Sequence, residues 1–251
     1  MSVFLLTSAA HSPGVTTLAV ALALHSGEPS LLVDANREPD QAVLAGYLRG
    51  TDPQGCGLGG MLQAYREHRP LATVLPSMLL PLAETSAFLP GFAHPGMVSL
   101  FAPVWPELAD LLEAEARPVY VDAGRIGTGG LPPSLVAASS AVAVVTRTTL
   151  PDLAALRLYL PQIQEAAGSE RVGLVLVGPG RPYGAAEIRK RFDVPIWGSL
   201  SWQPLEVERY ALGADQRRRR TPERYRADVR ALAAALAGRD THRRALIGTR
   251  Q

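Results

Sequence analysis

The sequence predicts one α/β domain, built on a mostly parallel, twisted sheet with helices on both faces. Two observations carry this. Short, fully apolar runs recur along the chain, the pattern of strands buried on both sides. Helix-length segments alternate with them, and a strand, loop, helix and second strand near the N-terminus make one βαβ unit. Of the 251 residues, 47% are hydrophobic, ample for one large buried core. No internal repeat or linker divides the chain, so residues 1–237 read as the domain and 238–251 as a flexible tail.

The elements follow in order. Val3-Phe4-Leu5-Leu6 is the first strand, and a loop of small residues, 8–14, follows it. Residues 16–25 read as a buried helix that stops at Gly27, and 30–33 as a second strand that ends at Asp34. Residues 118–121 form a strand ending at Asp122, and 141–145 a strand that leads into a helix over 151–167. A strand at 172–177, a short helix at 184–191 and a last strand at 196–200 complete the pattern. Parallel strands require right-handed crossovers, which gathers ligands at their carboxyl ends. Residues 50–103 are rich in Gly and Pro and less regular, with a helix over 57–69 and a strand at Phe88-Leu89 before the turn Pro90-Gly91. Residues 222–237 place Tyr225, Val229, Leu232 and Leu236 at helical spacing. That apolar face is mostly alanine, so it suits packing on the sheet better than lying on lipid.

Composition removes several classes of function. The formal net charge is +2, so the bulk of the chain does not call for nucleic acid or an acidic membrane. Cys56 is the single cysteine, which rules out an internal disulfide and a cysteine-based zinc site and suits the cytoplasm. The first residues lack the basic start of a signal peptide, and the apolar run at 18–24 is too short to span a bilayer. Trp105, Trp197 and Trp202 read as core or interface residues. Lys190 is the single lysine, so any chemistry that needs a lysine near the N-terminus is closed to this chain acting alone.

That last fact bears on the loop after the first strand. A phosphate-binding loop reads G-x-x-x-x-G-K-S/T: backbone N–H groups and the helix start hold phosphates, the lysine bridges them, and the hydroxyl binds Mg²⁺. The matching stretch is Ala9-Ala10-His11-Ser12-Pro13-Gly14-Val15-Thr16. Gly14 and Thr16 are in place; Val15 stands at the lysine and Ala9 at the first glycine, and Pro13 has no N–H to give.

With Thr7, Ser8 and Thr17 included, the stretch resembles the deviant Walker A motif of MinD/ParA proteins, T-S-x-K-G-G-x-G-K-T-T. Ala10 occupies the position of the family's earlier lysine, which reaches across a dimer. Leu31-Leu32-Val33-Asp34-Ala35-Asn36 resembles the family's L-L-x-D-x-D, with Asn36 at its second aspartate. Tyr120-Val121-Asp122-Ala123-Gly124 resembles its Walker B strand, with glycine for the usual proline. Residues 141–163, 172–177 and 195–204 resemble the later strands, where Gly178 stands at an asparagine and Trp202-Gln203-Pro204 at the P-x-D turn beside the adenine. Phe88-Leu89-Pro90-Gly91 and Asp122-Ala123-Gly124-Arg125 most resemble the pilus-assembly branch of the TadZ/CpaE type.

The resemblance implies a P-loop NTPase-like domain with a dismantled phosphate site. The vestigial nucleotide site would comprise Ser12, Gly14, Val15, Thr16, Thr17, Asp34 and Asp122, with Thr16, Asp34 and Asp122 as magnesium ligands if Mg-nucleotide binds. Charge-assisted hydrogen bonds contribute roughly 1.5–3 kcal/mol each. Losing the lysine contacts and a backbone donor therefore weakens ATP by roughly two to four orders of magnitude, and hydrolysis by more. No catalytic residue and no cofactor are expected, with Mg-ATP binding only weakly. Arg37, Arg125 and Arg147 each follow a strand's carboxyl end and are candidates to replace the lysines. The expected role is a pseudo-ATPase that localises, scaffolds or regulates a Tad/Flp-type pilus or secretion assembly. It would act as a homodimer in the cytoplasm, recruited to a membrane-bound assembly with a secretion ATPase as partner. An arginine-substituted ATPase is one alternative. A DNA-binding partition or division factor is another, contacting phosphates through Arg217, Arg218, Arg219 and Arg220.

Overall fold

The apolar runs become the centre of a sheet. In the computed structural model, which describes residues 2–10, 14–212 and 223–248, β1 (Val3–Ser8) and β2 (Leu31–Asp34) are buried at every position. β5 (Val119–Arg125), β6 (Ala141–Arg147) and β7 (Val172–Val177) are buried up to their last residue. β3 (Leu80–Pro81), β4 (Ala87–Leu89) and β8 (Ile196–Leu200) lie toward the edges. The order is β3-β4-β2-β5-β1-β6-β7-β8, and every pairing is parallel except β3 with β4. β1 therefore lies between β5 and β6, and the chain leaves its carboxyl end at the switch point of the sheet.

Helices cover both faces. One face carries α2 (Leu58–Arg66), α3 (Leu71–Val74), α5 (Trp105–Ala114), α6 (Pro133–Ala138), α7 (Leu150–Ala167) and α8 (Ala185–Phe192), with α4 (Met97–Leu100) beside them. The other carries α1 (Val15–His25), α9 (Pro204–Leu212) and α10 (Glu223–Gly248). Residues 18–23 of α1 are each at most 2% exposed, so this helix is wrapped on all sides and its sequence need not alternate. Each large apolar side chain buried in these layers contributes about 1.5–3 kcal/mol. Trp105 and Trp197 are buried, whereas Trp202 is 37% exposed.

Several elements differ from expectation. β5 continues three residues past Asp122, because the Thr7 hydroxyl donates to the Gly124 carbonyl at 3.0 Å and ties that end to β1. α5 was not legible; it caps residue 71 in space, with the Glu107 carboxylate accepting from the Leu71 N–H at 3.1 Å. α6 and α9 were also missed, being short and opened by prolines. The C-terminal helix runs to Gly248 rather than fraying from residue 238. Its later turns have partners: the Ser140 hydroxyl donates to Asp240 Oδ1 at 2.6 Å, and the Arg239 guanidinium lies 4.4 Å from the centre of the Trp197 ring.

α9 is held by a close backbone approach. The π-helical turn Val43–Tyr47 packs on it, and a Cβ added to Gly46 would fall 1.7 Å from the Ala211 carbonyl oxygen. Gly46→Ala is expected to destabilise by about 1–3 kcal/mol and to speed hydrogen exchange in α9 while the sheet amides stay protected. Asp240→Ala, which strands the buried Ser140 hydroxyl, should cost about 1–2 kcal/mol in a urea titration; an unchanged midpoint would show that the extended end of α10 contributes nothing.

Candidate functional site

The loop between β1 and α1 opens onto two adjoining cavities at the carboxyl edge of the sheet. Ser8 turns its hydroxyl onto the Ala10 carbonyl at 3.0 Å. Gly14 then starts α1 with φ near 95° and ψ near 35°, the left-handed region where glycine has no Cβ to clash, and its carbonyl accepts the Leu18 N–H. Val15, at the motif's lysine position, is 6% exposed and belongs to the core layer beneath α1. The side chain there is committed to packing. Ser12, with His11 and Pro13, lies outside the described residues.

Behind the loop stand the two aspartates. Strand register sets Asp34 directly opposite Asp122, and both are buried. Asp34 accepts N–H groups from Asn36, at 3.1 Å, and from Gly91. Asp122 accepts the Gly124 N–H at 2.9 Å and bonds the Thr16 hydroxyl. Burial pushes both carboxyls above the usual range, and for Asp34 the neighbouring Asp122 pushes further; the N–H and hydroxyl donors only partly offset this. The pair therefore holds a proton at pH values where surface aspartates are ionised.

The first cavity, about 350 Å³, lies on the side where the motif would hold phosphates. It is lined by Thr16, Thr17, Gly124 and Asn36, and also by Glu38 and Asp40, which the sequence reading passed over. Arg125 is the one cation on its wall among the described residues, and it pairs with Glu38 at 2.9 Å. The second cavity, about 300 Å³, shares Gly14 and Thr17 with the first and is walled by Val177, Leu200, Trp202, Pro204, Leu212 and Tyr225.

The three candidate arginines do not converge on the loop. Arg37 turns away and donates to the carbonyls of Gly129 and Gly130 at 2.9 and 3.0 Å. Arg147 lines the second cavity, with its guanidinium 5.5 Å from the centre of the Trp202 ring; Arg181 contacts the same ring at 5.1 Å. Only Arg125 reaches the phosphate side, and there it meets a carboxylate. Arg217 to Arg220 lie outside the described residues.

This donor set fits Mg-nucleotide poorly. Thr16 bonds Asp122, and Asp34 stands opposite Asp122, but among the described residues the adjoining cavity sets Glu38 and Asp40 beside one arginine, where a polyphosphate needs cations. Among the described residues no group of three or more His, Cys, Asp or Glu side chains could hold a metal ion.

The raised aspartates give a pH signature. The folded chain holds protons that the unfolded chain has released above about pH 4, so the pair's contribution to stability is greatest below that value and falls as pH rises through the folded-state range. Asp122→Asn removes one of the two charges and keeps an oxygen for Gly124 and Thr16. It should flatten the decline in Tm between pH 5 and 8 and raise stability at pH 8, on the order of 1–2 kcal/mol. A wild-type Tm that climbs over that range would contradict the assignment.

No family model and no curated protein matches the chain. Solved structures do. A ParA family ATPase from Chlorobium tepidum TLS superposes with a TM-score of 0.72 at 18% identity, covering 93% of this chain and 98% of that one. A putative plasmid partition protein from Borrelia burgdorferi B31, bound to AMPPNP, gives 0.69 at 11% identity, with 94% and 98% covered. The septum site-determining protein MinD from Pyrococcus horikoshii OT3, complexed with Mg-ADP, gives 0.69 at 18% identity, with 95% and 98% covered. Together with the loop, the paired aspartates and the sheet order, these matches establish that the chain has the fold of the MinD and ParA ATPases.

Proposed function

We propose that this chain is a MinD/ParA-like pseudo-ATPase that acts by position and partner binding, in localisation, partition or division, rather than by turnover. One observation carries the reading: the lysine position is a buried valine, while the cavity that would take the phosphates is walled by Glu38 and Asp40 with its arginine already paired. Phosphoryl transfer rests on positioning and on cationic stabilisation of spread negative charge, and among the described residues this cavity offers one cation, Arg125, paired with Glu38. Asp34, Asp122 and Thr16 then serve as a hydrogen-bonded clasp under the loop.

The solved neighbours favour partition and division over pilus assembly. They are a ParA ATPase, plasmid partition proteins and MinD, including a MinC:MinD complex from Aquifex aeolicus, which sets a precedent for a partner protein. The pilus and secretion-ATPase reading rests on residues 88–91 and 122–125 alone. A homodimer across the loop face is supported by exposed apolar side chains on α9 and before it, with Leu212 at 68%, Leu205 at 56% and Trp202 at 37%. Among the described residues no helix is long and apolar enough to cross a membrane.

Two assays separate the alternatives. Purified protein should release no phosphate from Mg-ATP above the buffer rate; turnover that Thr16→Ala and Asp122→Ala both abolish would instead establish an arginine-substituted ATPase. Light scattering should give the same dimer mass with and without nucleotide, and a strict monomer at high concentration would count against the scaffold. Salt-sensitive DNA binding that disappears when Arg217 to Arg220 become alanines would move the reading to a DNA-bound partition factor.

A further inference from the structure

The first turn of α2 carries two adjacent glycines, Gly59 and Gly60, although only proline suits a helix less than glycine does. A methionine accounts for each. A Cβ added to Gly60 would fall 2.2 Å from Met78 Sδ, so the thioether sulfur is seated on bare backbone. A Cβ added to Gly59 would fall 3.2 Å from Met97 Cε, so there the contact is a methyl group. Met78 closes the 3₁₀ turn Leu75–Met78. It is half-buried, as is Met97, whereas Met61 on α2 is fully buried.

Backbone contacts tie this seat to the aspartate pair. The Gly57 N–H donates to the Met78 carbonyl at 3.0 Å, and the Leu58 N–H donates to the Pro90 carbonyl at 2.8 Å. Gly91, the next residue, gives its N–H to Asp34. The junction has no slack: Gly57 has φ near 86°, and a Cβ there would fall 2.4 Å from the Pro90 carbonyl oxygen. Cys56, the single cysteine, borders the same turn, its thiol donating to the Ser77 carbonyl at 3.4 Å.

We propose that Met78 is a site of reversible oxidation by peroxide, and that its sulfoxide unseats the start of α2 and loosens the Pro90-Gly91 turn at Asp34. A sulfur lone pair takes one oxygen atom from hydrogen peroxide; the O–O bond breaks, the thioether is oxidised to the sulfoxide, and the peroxide is reduced to water. Either epimer breaks the seat. An oxygen turned toward α2 enters the space against Gly60, where the Gly55 carbonyl oxygen also lies, 2.4 Å from the Cβ position. Two acceptor oxygens have no hydrogen to share there. An oxygen turned outward makes the sulfur polar and draws water to a contact that was apolar. Met97 meets α2 through its methyl group, so its oxidation leaves the helix seated. Burial shields the sulfur of Met61.

Peroxide treatment of the full chain, followed by peptide mass spectrometry and thermal unfolding, tests this. Met78 should gain its oxygen about tenfold or more faster than Met61, and Tm should fall with it by roughly 3–10 °C. Hydrogen exchange should quicken in the first turn of α2 and at residue 91 while β6 and β7 stay protected. The two methionine sulfoxide reductases, one for each epimer, should restore Met78 and Tm together; the oxygen leaves as water and the added dithiol becomes a disulfide. Met78→Leu should keep its Tm under the same peroxide, whereas Met97→Leu and Cys56→Ser should respond as the wild type does. Should Met78→Leu fail to fold, the wild-type time course and its reversal by the reductases decide the matter. Oxidation of Met78 no faster than that of Met61, oxidation without change in Tm or exchange, a Tm loss that persists in Met78→Leu or vanishes in Met97→Leu or Cys56→Ser, or one that the reductases leave in place would each overturn the inference.

Discussion

The register of β2 on β5 is the constraint on which the site depends. It sets Asp34 opposite Asp122 in a buried position, where neither carboxylate can be left without donors. Four segments meet that demand: the turn after β2 through the Asn36 N–H, the turn after β4 through Gly91, the end of β5 through Gly124, and the start of α1 through Thr16. Gly91 can approach because it lacks a side chain; a Cβ there would sit 2.5 Å from Asp34 Oδ2. The turns after β2 and β4, the end of β5 and the first turn of α1 are thus fastened to one buried pair of carboxyls.

A fold of this kind separates its scaffold from its chemistry. The scaffold needs apolar strands, a glycine at the start of α1 and the aspartate clasp. Phosphate chemistry needs cations at the loop in addition. Here the positions that would carry them are a packed valine and an alanine, and the nearby arginines are turned to carbonyls, an indole and a glutamate. The cavity beside Trp202 and the exposed leucines of α9 present apolar surface to solvent.

Much of the central sheet was legible from sequence, since strands buried on both faces write themselves as apolar runs, as at Val3–Ser8 and Val172–Val177. The loop was legible because Gly14, Thr16 and the two aspartates keep their spacing. Residues 50–103 resisted because their short helices and turns take their shape from tertiary contacts such as Leu71 with Glu107. The end of α10 resisted because its anchors, Ser140 and Trp197, lie far away in sequence. The arginines were placed correctly at strand ends, but a long flexible side chain finds its partner in three dimensions, and Arg37 found two carbonyls that no spacing could announce. Glu38 and Asp40 were overlooked because they matter only through the cavity they share with Thr16.

The central claim is that the cavity beside Gly14 and Thr16 no longer accepts polyphosphate. Isothermal titration of the purified chain with Mg-ATP and Mg-ADP, at millimolar ligand and with thermal unfolding run in parallel, tests it most directly. The account predicts no saturable heat and no rise in Tm with either nucleotide. Micromolar binding of Mg-ATP with a matching rise in Tm would contradict it, and would mean that the loop has been rebuilt around donors other than lysine.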